Sequence, residues 1–314
     1  MTATETAPTG AGASQSRGAG LGVAAALAAY GMWGGFPILF RLLQGSDAAL
    51  IVSQRVVWSL VFVGIVLALR NRMGEVRVAL ANRRTLVGML ISALLLSVNW
   101  LVFVWAVEAE RVLETSFGYF ITPLVSVAIG MVFLGERQNR VQALAILIAL
   151  VAVGLQAVAI GGLPWVSLAL AVSFGSYGYF RKTVTVGSTP GLYVETLLML
   201  PAALAYILYV LVTSGPGQMA DPLKMFYFIL TGPATAMGLI FFAYAAKRLR
   251  MTTIGMFQYI TPTLQFLVAV FVFGETLTSV RLMSFGLILV SLAVFTGDTV
   301  IRRRRPPPVM ESVA

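Results

Sequence analysis

The residue types that carry out much of enzyme chemistry are missing from this chain of 314 residues, which contains no cysteine and no histidine. Thiol nucleophiles, histidine acid–base catalysis, disulfides and the common zinc sites are therefore excluded. The twelve acidic residues are scattered, and no two have a metal-ligand spacing within one apolar stretch. We therefore expect no catalytic residues, no metal and no cofactor.

Three ionisable side chains lie inside or beside long apolar stretches, where an isolated charge is costly and therefore indicates a function. We interpret Arg55 as a residue that could bind an anionic group of a substrate. Glu195 is the first candidate for an ion-coupling carboxylate that binds a proton or another cation, and Glu114 is the second. The alternative is that Arg55 and Glu195 extend to the membrane surface or form structural pairs.

Two prolines, Pro123 and Pro262, lie near the middle of apolar stretches. Each removes a backbone donor and frees the carbonyl group one turn earlier, so each predicts a kinked helix. Hydrogen-bonding residues cluster at both kinks and predict a cavity there: Tyr119, Thr122, Gln258, Tyr259 and Thr261. The alternative is that these prolines only shape the packing of the helices.

Aromatic and amide side chains elsewhere suggest the remaining lining of such a cavity. The candidates are Trp33, Asn99, Trp100, Trp105, Tyr177 and Tyr244. Tryptophan and tyrosine also form the usual belt at a membrane interface, and Trp58 and Trp165 fit that role better.

The composition shows which elements must position these residues. The chain is 59% apolar and 11% charged, with a mean hydropathy of +0.90, which excludes a water-soluble domain and a disordered chain. A membrane-spanning helix needs roughly 20 apolar residues. We therefore predict an all-α integral membrane protein with ten spans, at residues 20–41, 48–69, 86–107, 114–134, 141–160, 163–180, 190–212, 225–246, 253–273 and 280–300.

Ten spans bring both ends of the chain to the same side of the membrane. If that side is the cytoplasm, 17 of the 22 basic residues lie there, which follows the positive-inside rule. We therefore expect both termini to be cytoplasmic and interpret the net charge of +10 as a sign of orientation, with no nucleic-acid partner. Residues 1–19 are predicted to be a flexible tail, and residues 301–314 a basic, proline-rich tail.

An internal repeat divides the membrane region into two halves, residues 20–160 and 161–300. Ile-Thr-Pro followed by Gly-Glu occurs at 121–136 and again at 260–275, a shift of 139 residues, and Arg55 aligns with Glu195 at a shift of 140. Because each half has five spans, the second must enter the membrane in the opposite orientation. Inverted repeats of this kind enclose a substrate site near the midplane of the membrane and indicate transport by alternating access.

The sequence also resembles a known family. The stretches AYGMWG at 29–34, NWLVFVWAV at 99–107, GYFITPL at 118–124, LGER at 134–137 and FQYITPTL at 257–264 are similar to the RarD-like permeases. These belong to the drug/metabolite transporter superfamily, whose five-helix halves are called EamA repeats. The resemblance implies a bacterial-type inner-membrane permease, an association with chloramphenicol sensitivity, and a peripheral fifth helix in each half.

These observations predict a secondary transporter of small organic solutes such as amino acids, metabolites or drugs, and we expect it to be an exporter. The sequence contains no nucleotide-binding motif, so an ion gradient, with the proton as the candidate ion, is the expected energy source. The expected partners are the solute and membrane lipid, while the oligomeric state stays open. Two alternatives without transport remain, namely a membrane scaffold or sensor and an enzyme acting on lipid-linked substrates.

Overall fold

The computed structural model describes residues 10–108, 112–161, 165–272 and 279–304. Apart from one 3₁₀ turn, the regular structure of these ranges is entirely α-helical. The helices are α1 (Gly10–Gly34), α2 (Phe36–Leu42), α3 (Ala48–Leu69), α4 (Met73–Ala81), α5 (Arg83–Glu108), α6 (Val112–Leu134), α7 (Arg140–Ile160), α8 (Trp165–Thr183), α9 (Ser188–Ser214), α10 (Pro222–Ala246), α11 (Met251–Gln258), α12 (Ile260–Phe271) and α13 (Ser279–Arg304).

Several helix ends follow directly from local sequence. The Asp47 carboxylate accepts the backbone N–H of Leu50 at 2.7 Å and caps α3. Asn139 and Gln142 form a reciprocal capping box at the start of α7, and Gly161 ends that helix with a φ of +89°. These signals fix where the polypeptide enters and leaves the apolar layer.

Eight helical stretches within the described ranges are long and apolar enough to cross a membrane. They are α1 with α2, α3, α5, α6, α7, α9, α10 and α13, and each coincides with a predicted span. The other two predicted spans are helical but fall short of this standard. Helix α8 ends in the basic residues Arg181 and Lys182, and the stretch at 253–273 is divided between α11 and α12.

Two features differ from the sequence-based expectation. Helix α1 already begins at Gly10, within the stretch 1–19 that was predicted to be a flexible tail. The loop between the second and third predicted spans contains α4, a short helix whose Val76 and Ala79 are buried. The second Gly-Glu pair, Gly274 and Glu275, lies outside the described residues.

Helix packing links the two halves of the chain in matching pairs. Helix α3 packs against α9, α6 against α11, and α7 against α13. Helix α5 packs against α8, and the corresponding helices α10 and α1 pack against each other. Helix α6 likewise packs against α8, as the corresponding helices α12 and α1 do. Each of these contacts therefore has a counterpart when the halves are exchanged. The largest cluster of buried apolar side chains includes residues of α1, α3, α5, α8, α9, α10 and α11.

Two glycines on second-half helices permit especially close approach to the first half. A Cβ atom at Gly238 of α10 would lie 2.5 Å from Nε1 of Trp33, and one at Gly255 of α11 would lie 2.6 Å from the Pro123 carbonyl oxygen. Larger residues would separate the helices at both points, so these glycines determine how closely the halves meet.

Candidate functional site

Arg55 lies on α3 among aromatic side chains from other helices. Its guanidinium carbon is 4.6 Å from the ring centre of Trp100, 5.5 Å from that of Phe40 and 5.8 Å from that of Phe36. These distances are within the range of cation–π attraction. The Nε–H group donates a hydrogen bond to Oγ1 of Thr235 on α10 at 3.0 Å. Arg55 is thus held by residues of both halves of the chain.

Tyr119 on α6 faces the same region. Tyr119 interacts electrostatically with the Arg55 guanidinium, and the centre of its ring lies 6.3 Å from that of Phe103. The residue is 38% exposed, so part of it is not covered by protein. We call Phe36, Phe40, Arg55, Trp100, Tyr119 and Thr235 the Arg55 cluster.

The Arg55 guanidinium keeps hydrogen-bonding capacity within this cluster. Within the described ranges, no carboxylate forms an ion pair with Arg55, and its two terminal nitrogens donate no hydrogen bond. The side chain is half-buried and does not extend freely into the surface region. The arrangement therefore presents one positive charge with unused donors against a wall of aromatic rings.

A cavity of about 400 Å³ lies beside the cluster, between α3, α5 and α9. Trp100 belongs to both sites, because it lines the cavity and also covers the Arg55 guanidinium. The remaining lining is nearly all apolar and includes Val52, Leu94 and Met199.

Trp33 and Tyr177 meet in an aromatic core between α1, α8 and α10. The Trp33 ring lies 5.7 Å from Phe174 and 5.8 Å from Phe242, while Tyr177 stacks on Phe242 at 5.8 Å with an angle of 15° between the planes. The predicted pair therefore comes together, but Tyr177 is fully buried, so it contributes packing rather than an open lining.

Asn99 connects α5 with α8. Its Nδ2 group donates hydrogen bonds to the Leu170 carbonyl and to Oγ of Ser173, both at 3.0 Å. These bonds occupy both hydrogens of the amide, so in this conformation Asn99 joins helices and has no free donor.

Glu195 on α9 is completely buried and forms an ion pair with Arg181 on α8, at 3.5 Å between Oε1 and Nη1. Oγ of Ser92 on α5 donates a hydrogen bond to the same carboxylate oxygen. Arg181 also donates to the carbonyl group of Ser188 at 2.9 Å. For Glu195, extension to the membrane surface is thus wrong, and the structural pair is found.

Arg181 is one of the 17 basic residues that the sequence analysis assigned to the cytoplasmic side, where it was expected to lie in a loop. The structure includes it in the last turn of α8, with no exposed surface. Three buried polar atoms in this ion-pair site have no hydrogen-bond partner in the part of the chain that the structure describes: Oε2 of Glu195, Nε of Arg181 and the hydroxyl oxygen of Tyr177. The Glu195 site thus combines a buried charge pair with unused bonding capacity.

The residues at the two prolines join helices more than they line a cavity. Tyr259 donates to the Phe120 carbonyl at 3.2 Å, and Thr261 to the Tyr30 carbonyl at 3.1 Å. Thr122 bonds within its own helix, to the carbonyl of Gly118. These three polar side chains are buried, which favours the packing alternative for them.

The predicted kinks differ between the two prolines. Pro262 follows a true break, because α11 ends at Gln258 and α12 begins at Ile260. Pro123 lies within the single helix α6. Gln258 accepts a hydrogen bond from Ser126 at 3.1 Å, and its Nε2 atom has no partner among the described residues. Gln258 is therefore a kink residue with remaining donor capacity.

Two further candidates, Trp105 and Tyr244, are not brought to the Arg55 cluster. Trp105 packs on Trp165, with ring centres 5.2 Å apart, and is 44% exposed. The guanidinium carbon of Arg248 lies 3.4 Å from the centre of the Tyr244 ring, close to the end of α10. The side chain of Glu114 lies outside the described residues.

A contact that the sequence did not predict joins the halves after α6. Oε1 of Glu136 accepts the backbone N–H of Met251 at 2.6 Å, and Oε2 accepts that of Thr252 at 2.9 Å. Glu136 therefore caps the first turn of α11, with the Arg250 guanidinium 3.8 Å away.

Lys247, which follows the last residue of α10, donates a hydrogen bond to the Val184 carbonyl at 2.6 Å. Burial, together with the charges of Arg181 and Arg248, lowers the pKa of Lys247 to about 8.

The partners of the two ionisable residues were also missed. Arg41 precedes Arg55 by 14 positions, and Arg181 precedes Glu195 by the same 14, so the repeat aligns Arg41 with Arg181. This alignment alone does not show that Arg181 contacts Glu195. The contributions of Phe36, Phe40 and Thr235 have no comparable signal, because they depend on how the helices pack.

The comparisons with known proteins support one class. The chain is 40% identical over 277 residues to an uncharacterized transporter of Vibrio cholerae, covering 88% of this chain and 92% of that protein. It is 38% identical over 284 residues to protein RarD of Escherichia coli, covering 90% and 96%. It is 30% identical over 281 residues to the chloramphenicol-sensitive protein RarD of Pseudomonas aeruginosa, covering 88% and 94%.

Two other comparisons add less. A crystal structure covers 93% of this chain and 99% of its own, with a TM-score of 0.68 at 17% sequence identity, which shows a shared fold. No family model matches the sequence.

The apolar helices, the charged groups held between them and the named relatives define a multi-pass inner-membrane transporter of bacterial type, with a small-molecule solute as its partner. Within that class, the chain belongs to the RarD family of permeases, as the sequence resemblance predicted.

Proposed function

We propose that this RarD-family protein is a secondary transporter that exports small organic solutes by alternating access. In this proposal ten helices span the membrane as two inverted repeats, residues 20–160 and 161–300, and both termini are cytoplasmic. The solute occupies a chamber between the repeats. Amino acids, metabolites and drugs remain the candidate solutes. Chloramphenicol appears in the name of the Pseudomonas aeruginosa relative.

The observation that carries the proposal is the matched packing of the two halves. The contacts named above between long helices of the first half and of the second half correspond when the halves are exchanged. If the halves adopt slightly different conformations, exchanging those conformations yields a second state of nearly equal free energy. Such a pair of states opens a central site first to one side of the membrane and then to the other.

The Arg55 cluster is the proposed chamber wall for the solute. It combines residues of α2, α3, α5 and α6 with Thr235 of α10, so a change in the relative position of the halves alters it directly. Trp33 and Gln258 are proposed to lie behind this wall. Asn99, Tyr177, Tyr259 and Thr261 serve the proposal as joints between helices, while Thr122 bonds within α6.

Glu195 is proposed as the proton-coupling group. When the carboxylate is ionised, its pairing with Arg181 and the bond from Ser92 hold α5, α8 and α9 together. Protonation would remove the negative charge and leave Arg181 unpaired, which weakens this junction. Tyr177 and Lys247 are the other titratable groups in electrostatic contact with the pair. A proton gradient would thereby favour one state over the other.

Transport itself is tested by comparing the metabolites in the medium of cells that lack the protein and of cells that overproduce it. Solutes enriched by overproduction are then labelled, and their flux is measured in liposomes containing purified protein. Accumulation that depends on the protein supports a transporter. A complete absence of flux for all enriched solutes, with correctly folded protein, would support a scaffold or sensor.

Proton coupling is tested in the same liposomes with Glu195→Gln, which removes the charge and keeps an acceptor for Ser92. We expect wild-type flux to respond to a pH gradient and the variant to carry solute without that response. Glu75→Gln is the matched control, because it makes the same substitution in an exposed pair with Arg72. Flux by Glu195→Gln that still follows the pH gradient would reject this role.

A further inference from the structure

We infer that the solute bound by the Arg55 cluster is an organic anion: a small molecule with a carboxylate or a comparable anionic group attached to an apolar body. This inference rests on the proposed transport function and narrows its substrate class. It combines three observations, which are the unused donors of Arg55, the rings around it and the neighbouring apolar cavity.

The charge of Arg55 is incompletely neutralised by the protein. Thr235 accepts only the Nε–H bond, and no ion pair to a carboxylate is found for Arg55 within ranges 10–108, 112–161, 165–272 and 279–304. A guanidinium group presents its N–H groups in a planar fork that matches the two oxygens of a carboxylate. The terminal nitrogens of Arg55 are the part of that fork still available to a solute.

The aromatic rings around Arg55 stabilise its charged guanidinium and limit which solutes can bind there. Phe36, Phe40 and Trp100 surround the guanidinium within 6 Å and hold it in the protein interior without neutralising its charge. A cationic solute would meet like charge here, and a neutral one would leave Arg55 without a counter-ion. An anion supplies the missing charge, and the Tyr119 hydroxyl can donate to it as well.

The adjacent cavity indicates the size and polarity of the rest of the solute. Its volume of about 400 Å³ suits a small molecule, and its lining is formed mainly by Ala, Val, Leu and Met side chains. Trp100 separates this space from Arg55 and contacts both. A solute with its anionic end at Arg55 can therefore direct an apolar group past Trp100.

The experiment measures the binding of three probes with one carbon skeleton to the full-length protein in lipid nanodiscs. The probes are 3-phenylpropanoate, 3-phenylpropan-1-ol and 3-phenylpropan-1-amine, with binding to empty nanodiscs subtracted. We expect the carboxylate to bind at least about tenfold more tightly than the alcohol or the amine, because only it can pair with Arg55. Arg55→Gln should abolish that preference, and Arg55→Lys should keep part of it.

Arg302→Gln is the matched control, since it removes one positive charge from an exposed pair with Asp298 and should preserve the preference. Equal binding of the three probes, no binding of the carboxylate at millimolar concentration, or an unchanged preference in Arg55→Gln would overturn the inference. Size-exclusion profiles identify variants that do not fold, and Arg55→Lys then carries the comparison. Carboxylate-selective binding without flux of any solute would reject the proposed transport and keep the anion site. Flux without charge-selective binding would reject the anion site and keep the proposed transport.

Discussion

The hydroxyl group of Tyr259 donates a hydrogen bond to the carbonyl oxygen of Phe120 at 3.2 Å, although the two residues are 139 positions apart. This separation equals the shift between the two Ile-Thr-Pro motifs. Corresponding positions of the two proposed repeats thus meet directly, which would be expected if a two-fold axis passed between them. The contact joins α6 to the junction of α11 and α12, where the second-half helix is broken.

Removing the Tyr259 hydroxyl should weaken this junction while leaving its packing intact. Tyr259→Phe leaves the Phe120 carbonyl without that partner, at a cost of about 0.6–1.7 kcal/mol for a hydrogen bond between membrane helices. We expect a lower midpoint of thermal unfolding for the purified protein in detergent. Tyr209→Phe is the control, because Tyr209 is 60% exposed. Equal midpoints for Tyr259→Phe and the wild type would show that the bond contributes nothing.

The buried pair of Arg181 and Glu195 should show strong coupling between its two members. Arg181→Met leaves the Glu195 carboxylate buried without its counter-ion, which typically costs about 3–5 kcal/mol. Combining it with Glu195→Gln removes both charges, so the double variant should be more stable than Arg181→Met alone. Unfolding midpoints of the two single variants and the double variant measure the coupling. Losses that simply add would contradict a direct interaction.

Much of the fold is predictable from sequence, because the membrane imposes simple requirements on length and composition. Eight of the predicted spans coincide with helical stretches that are long and apolar enough to cross a membrane, since apolar stretches of about 20 residues have few alternatives in a bilayer. The short helix α4 was not predicted, because nine residues with mixed polarity do not stand out from a charged loop. The break at Tyr259 was anticipated from Pro262, whereas Pro123 remains within one helix.

The candidate site was less predictable, because its partners come from different helices. Arg55, Trp100 and Tyr119 were all identified from their residue types and come together in the structure. Trp105 and Tyr244 have the same residue types, yet they lie elsewhere, because the direction of a side chain depends on helix rotation. Arg181 was missed since a basic residue close to the end of a span is usually assigned to the cytoplasmic surface.

Lys247 should become reactive at an unusually low pH. Its pKa of about 8 lies below the ordinary 10.5, so the nucleophilic neutral amine predominates above pH 8 rather than above 10.5. Acetylation of Lys247 in the folded protein should therefore rise between about pH 7 and 9 and then level off. Mass spectrometry of the Lys247 peptide gives this profile, and Lys247→Arg confirms the assignment. A profile that still rises steeply at pH 10 would contradict the lowered pKa.

Replacing Glu136 should loosen the end of the molecule at which this residue joins the halves. Glu136→Gln keeps one acceptor oxygen, so the backbone N–H of either Met251 or Thr252 loses its partner, and the negative charge at the start of α11 disappears. Loss of such a cap costs about 0.5–2 kcal/mol, so amide hydrogen exchange over residues 251–254 should accelerate roughly 2- to 30-fold. Glu75→Gln, which changes an exposed pair, should leave these amides unaffected. Unaltered exchange in Glu136→Gln would mean that the carboxylate does not hold α11 in place.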